Sequence, residues 1–115
     1  MTDLDTSEAA EAQAPPDWQN LTYEVFNPSY SVGVACNRSG VIVGVHLGDE
    51  VWENSDSWLA TEIVRVARLA YLRSRVGRRA ELLYNGGSPR SADSMGMITE
   101  AEYNFQWKTE FARDL

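Results

Sequence analysis

Apolar and polar residues take turns along residues 21 to 47. "LTYEVF" puts Leu21, Tyr23 and Val25 on one side and Thr22, Glu24 and Phe26 on the other. "SVGVACN" gathers Val32, Val34 and Cys36, and "VIVGVHL" gathers Val41, Val43, Val45 and Leu47. Alternation of period two, bounded by turn residues, predicts three strands. "NPSY" and "NRSG" supply the turns, with Pro28 and Gly40 as the residues that favour them. If each is a four-residue loop between antiparallel strands, Val25 faces Val32, Tyr23 faces Val34 and Leu21 faces Cys36. Cys36 then faces Val41, Val34 faces Val43 and Val32 faces Val45. Every apolar column falls on one face, which a slip of one residue would destroy. The reverse face carries Ser31, Gly33, Ala35, Ile42, Gly44 and His46 beside Thr22, Glu24 and Phe26. It is either an undemanding exposed surface or a place of close approach, because glycine in a strand marks such approach.

The period then changes. In "SDSWLATEIVRVARLAYLRSRVGRRAELLY", Leu59, Ile63, Val66, Ala67 and Ala70 recur at helical spacing and predict a stripe that covers the apolar sheet face. Asn54 or Ser55 is the expected N-cap, with Asp56 at the positive end of the helix dipole. The helix should run to Leu83 or Tyr84, with Gly77 a weak point, and stop at Asn85, Gly86 and Gly87. Residues 85–98 read as a flexible Gly/Ser linker. Thr99 and Glu102 have capping-box spacing and open a short helix, whose Tyr103, Trp107 and Phe111 fall at i, i+4 and i+8. That aromatic face packs on its own domain or docks into a partner's groove.

Charge adds a puzzle. The chain of 115 residues has a net charge of −7, yet six of its ten basic residues lie between Ser57 and Arg79. Arg65, Arg68, Arg75 and Arg79 share one helix face, flanked by Arg73 and Arg78. Such a row is a solvated face, a phosphate-binding strip or a grip for acidic protein. Nucleic-acid recognition needs a basic surface free of competing carboxylates, and here both chain ends are acidic. The row is therefore expected to hold protein, including the chain's own acidic ends.

Residues 1–16, "MTDLDTSEAAEAQAPP", contain four acids, no base and no aromatic residue. They cannot bury enough apolar surface to offset their ordering, so a disordered acidic tail is expected. No apolar run spans a membrane, no signal-peptide pattern opens the chain, and the single cysteine permits no internal disulfide. A reducing cytoplasm suits that composition. Catalysis requires titratable groups that converge. His46 and Cys36 are the only residues of their types and fall on opposite sheet faces. No catalytic residue, metal ligand set or cofactor fingerprint is expected.

The domain plan is thus a tail (1–16), a meander plus long helix (17–84), a linker (85–98) and an aromatic helix (99–115). The fold class is α+β, a three-stranded antiparallel meander packed against a long helix with a short C-terminal helix. A thin two-layer unit leaves a sheet face and an aromatic helix needing cover, so a homodimer is expected.

This order of elements resembles the YbaB/EbfC-like proteins, small dimers of which several associate with the nucleoid. Within them, "YEVFNPSYSVGV", "SGVIVGVHL" and "SDSWLATEIVRVARLA" resemble the actinobacterial type VII secretion-associated proteins of the EspD/EspH kind. The match runs from Tyr23 to Arg73. It implies a non-enzymatic, chaperone-like factor that stabilises or escorts other secretion-system proteins, with no catalytic residues to carry over. The alternative it implies is a nucleoid-associated DNA-binding protein. The type VII export signal, tyrosine followed four places later by an acid, is missing. Tyr71, Tyr84 and Tyr103 are followed by Arg75, Ser88 and Trp107. A cytoplasmic role is what the resemblance implies, with export by a non-Sec route as the alternative.

Overall fold

The computed structural model describes residues 15–112. The acidic-tail reading of residues 1–16 therefore lies almost entirely outside the described residues. A 3-10 turn, Trp18–Asn20, leads into strands β1 (Thr22–Phe26), β2 (Val32–Asn37) and β3 (Ile42–Leu47). A second 3-10 turn, Asp49–Glu53, precedes helix α1 (Asp56–Tyr84), followed by α2 (Pro89–Ser94) and α3 (Glu100–Phe111). The strands form one antiparallel sheet in the order β1-β2-β3. The architecture is α+β: a meander packed against a long helix, with a short helix at the C-terminal side.

The register differs from the expected one. Val25 pairs with Val34 and Tyr23 with Cys36, while Val34 pairs with Val45 and Val32 with Leu47. Each pairing is two residues away from the expectation. The cause is two asparagines that behave as strand ends. Asn27 donates its backbone N–H to the Val32 carbonyl, and its side-chain oxygen accepts from the N–H groups of Ser31 and Val32. Asn37 does the same for the next turn, bonding the Val41 carbonyl and accepting from Ser39 and Val41. A shift of two preserves the faces. Between the pairs Cys36–Ile42 and Ala35–Gly44 an extra residue, Val43, makes a bulge. Paired with Cys36, Ile42 shares its face, contrary to the placement expected from simple alternation.

Helix α1 begins where the side chain of Ser55 accepts from the Trp58 N–H. It continues unbroken through Gly77. Its buried positions are Glu62, Val66, Leu69, Ala70, Ser74, Gly77 and Glu81. Leu59, Ile63 and Ala67 only flank this core, so the buried line is rotated from the expected stripe and includes Leu69. Val25, Val32, Val34 and Cys36 are sealed beneath it, the last three without exposed surface. Gly77 is required by packing. The Tyr23 ring lies against it, and a Cβ there would collide with the ring.

Residues 85–98 are not a plain linker. After the C-cap at Asn85 and a left-handed Gly86, Ser88 caps the short helix α2, and Ala92 is fully buried. The capping box of Thr99 and Glu102 starts α3 as expected.

Candidate protein interface

The helix covers two strands of three. On β3, Ile42 is 49 % exposed, Val43 54 %, Val45 52 % and Leu47 45 %, and Val41, just before the strand, is 58 % exposed. The expected roofing of these valines by α1 does not occur. β3 is an edge strand lying beside the helix's footprint rather than under it. It contains no charged residue and no proline, two of the devices that keep an edge from pairing, and its one such feature is the bulge at Val43. Scattered exposed aliphatics are ordinary, but four on one edge strand, with Val41 just before it, mark an interaction surface.

The arginines have a different task. They clamp the chain to itself at two ends of α1. At the first end, Asn27 Nδ2 donates to Glu62 Oε2 at 2.9 Å, and Arg65 Nη1 donates to Glu62 Oε1 at 2.8 Å. Arg65 also donates to the carboxylate and the backbone carbonyl of Glu110, at 3.0 and 2.7 Å, and stacks on the Phe111 ring. Arg68 pairs with the same Glu110 carboxylate. This network ties the β1–β2 turn, α1 and α3 together. Asn27 and Glu62 are almost fully buried, and buried polar groups persist only when paired.

At the other end, Arg38 of the β2–β3 turn grips Glu81 with two bonds, 2.8 and 2.6 Å, while Arg78 adds a third at 3.0 Å. The Arg38 guanidinium, with Arg78 beside it, holds the Glu81 carboxyl below the usual carboxylate range. Burial raises the nearby Tyr23 hydroxyl above its ordinary value, and the Glu81 charge adds to the effect. Arg75 donates to the Arg38 carbonyl at 3.0 Å and lies over the Tyr71 ring. Arg79 bonds the Asp93 carboxylate at 2.6 Å and the Met97 carbonyl at 2.9 Å, and Arg73 reaches Glu100 at 3.2 Å.

Arg65, Arg68, Arg75 and Arg79 are thus not an unoccupied strip: they take the option, also expected from the sequence, of gripping the chain's own groups. Each is engaged within the chain. Tyr103, Trp107 and Phe111 are not a free docking face either. Phe111 is fully buried, Tyr103 is 8 % exposed, and the Trp107 indole donates to the Phe26 carbonyl at 3.3 Å. The aromatic residue of α3 that does face outward is Phe105, 67 % exposed.

The reverse sheet face has an internal reason for one of its glycines. The Phe26 ring lies across Gly33, its cross-strand partner, and leaves no room for a Cβ. His46 meets that ring edge-on, with centroids 5.6 Å apart. Cys36 is fully buried on the opposite face, and burial raises its thiol above the ordinary value. His46 and Cys36 do not meet. Among the described residues, no three histidine, cysteine or acidic side chains cluster to hold a metal ion. Among the described residues, no helix is long and apolar enough to cross a membrane.

The bare β3 and the internal use of the arginines had a faint signal in the sequence. One helix is too narrow to cover three strands, and Glu62, Glu81 and Glu110 sit at spacings that can meet basic partners. The first was not legible without the sheet's position under the helix, and the second was legible only as one of the row's options.

No protein-family model matches the chain, and no curated protein matches it. Among solved structures, it is similar to the uncharacterized protein HP0035 from Helicobacter pylori. The likeness has 17 % sequence identity and a TM-score of 0.48 over 71 % of this chain and 95 % of that one. A likeness at that level carries nothing about function across to this protein.

Proposed function

We propose that the protein is a non-enzymatic, protein-binding accessory or stabilising factor that works as a homodimer joined across β3. The single observation behind this reading is the uncharged edge strand whose four aliphatic side chains stay about half exposed. Covering such a strip removes apolar area from water, worth about 25 cal/mol per Å². A second copy offers the same strip, so a two-fold contact is self-complementary. The sequence resemblance described above supplies the proposed setting, type VII secretion, and the proposed place of action, the cytoplasm. DNA binding of the YbaB/EbfC kind is the weaker alternative, because the helix arginines already hold carboxylates.

Light scattering after size exclusion tests the dimer. We expect a mass of twice 12.9 kDa for the native chain and a single-chain mass for Val45→Lys. A single-chain mass for the native protein contradicts the reading. Recovery of secretion-system proteins with the native chain but not with Val45→Lys supports the accessory role, and equal recovery removes β3 from it. A gel shift at low salt with retardation at micromolar protein would favour the DNA alternative instead.

A further inference from the structure

At the opposite edge of the sheet from β3, β1 and α3 form the two sides of a cleft of about 410 Å³. Phe26 and Tyr30 line one side, and Tyr103 and Trp107 line the other, with Pro28 among the lining residues. Phe26, Tyr30 and Trp107 share this lining with one charged residue, Glu24, which is exposed and has no ion-pair partner among the described residues, while Tyr103 is buried beneath them with Arg73 over its ring. Aromatic faces attract cations through their quadrupoles, most strongly where a carboxylate adds its charge. The same protein already uses this contact internally, since Arg65, Arg73 and Arg75 lie over Phe111, Tyr103 and Tyr71.

Tyr30 gives an independent indication. It has φ of +60°, the left-handed region in which glycine is the unstrained residue. The turn nevertheless carries a tyrosine there, 70 % exposed, with its ring 5.4 Å from that of Phe26. Fold stability alone does not call for a ring that is strained in the backbone and mostly in water. Strain of this kind gathers at binding sites. The opposite side is held firm by the bond from the Trp107 indole to the Phe26 carbonyl.

We propose that this cleft binds a cationic side chain, lysine or arginine, of a partner polypeptide, with Glu24 as the counter-charge and the rings of Phe26, Tyr30 and Trp107 as walls. The inference rests on the protein-binding reading but not on the β3 contact, which lies two strands away. The chain's net charge of −7 favours approach of a basic partner.

The test uses the full ¹⁵N-labelled chain and follows the Trp107 indole N–H, assigned by its loss in Trp107→Phe. N-acetyl-arginine amide is the probe, and N-acetyl-norleucine amide is its uncharged control. We expect a saturable shift with a millimolar dissociation constant. The control, Glu24→Gln and Tyr30→Gly should each weaken it at least roughly threefold, the scale of one exposed cation–π or charge contact. Both substituted positions are exposed, so folding is retained and is checked by circular dichroism. Absence of a saturable shift up to roughly 50 mM probe overturns the proposal. So does equal binding of the uncharged control, or an affinity that Glu24→Gln leaves unchanged. The mass of Glu24→Gln in solution should equal that of the native chain, which separates failure of this site from failure of the β3 dimer.

Discussion

Strands β2 and β3 are written in the same alphabet and end in different surroundings. β2 has Val32, Val34 and Cys36 on its inner face, and all three are fully buried. β3 has Ile42, Val45 and Leu47 on the same face, and all three remain about half exposed. Propensity cannot explain the difference, because both strands alternate and both are rich in valine. Position in the sheet explains it. A single helix about 10 Å across covers roughly two strands spaced 4.8 Å apart, and the third strand falls outside. Alternation along a strand states which face avoids water, and a second layer decides whether that face is covered.

Breaking the covered side should produce the largest effect. Leu69 fills the space between α1 and the sheet with 1 % exposure. Leu69→Ala should lower unfolding stability by about 2–5 kcal/mol, measured by urea denaturation. A loss under about 1 kcal/mol would mean that the helix is not the roof of β1 and β2. Next comes Val34→Thr, which puts a hydroxyl where no partner waits. It should cost about 1–3 kcal/mol, since threonine suits a strand but its buried oxygen is unpaired.

Gly77→Ala sharpens the comparison along the helix. Alanine normally favours a helix by about 1 kcal/mol over glycine. Here the new Cβ meets the Tyr23 ring, so we expect a net loss of about 1–2 kcal/mol. Tyr23→Ala in the same chain should return the usual preference for alanine at this site. A stabilising Gly77→Ala in the native background would show that the Tyr23 ring is free to move away.

Much of the covered side was readable in the sequence, and the uncovered side was not. Strand faces, the Ser55 cap and the Thr99–Glu102 capping box follow from local chemistry. The register did not, because Asn27 and Asn37 look like loop residues and instead close the ladders with their side chains. A shift of two leaves the apolar faces of β1 and β2 and of Val45 and Leu47 in place, and the bulge that moves Ile42 to the inner face has no signature in the alternation, so patterning alone could detect neither. The arginine row was legible as a grip for acidic groups of the chain itself or of a partner, but not which of the two. Spacing places Arg65, Arg68 and Arg79 on one face, but their partners Glu110 and Asp93 come from elements that fold back. The cleft at β1 was invisible because Tyr30 and Trp107 are far apart in the chain.

The Arg38–Glu81 clamp should show in acid. Glu81 has its carboxyl held low by Arg38. A carboxyl lowered in the folded state adds stability above its ordinary value near 4.5, and that stability is lost as pH falls through the folded value. Glu81→Gln should therefore cost on the order of 1 kcal/mol at pH 7 and converge on the native chain below the ordinary carboxylate range. Parallel curves across that range would remove the clamp as a source of stability.

The smallest expected effect bears most on β3. In a dilute sample, Val45→Thr should change stability by less than about 0.5 kcal/mol, because the side chain is half in water already and its hydroxyl can stay there. That near-silence is the mirror of Val34→Thr, its cross-strand partner, and holds only while β3 is bare. A dimer adds a term that grows with protein concentration, since a contact made by the native state alone stabilises by mass action. The native chain should then melt higher at hundreds of micromolar than at one micromolar, and Val45→Thr should lose part of that gain. If the two proteins keep the same small difference at every concentration, no second chain lies on β3, and its four aliphatics answer to a different partner.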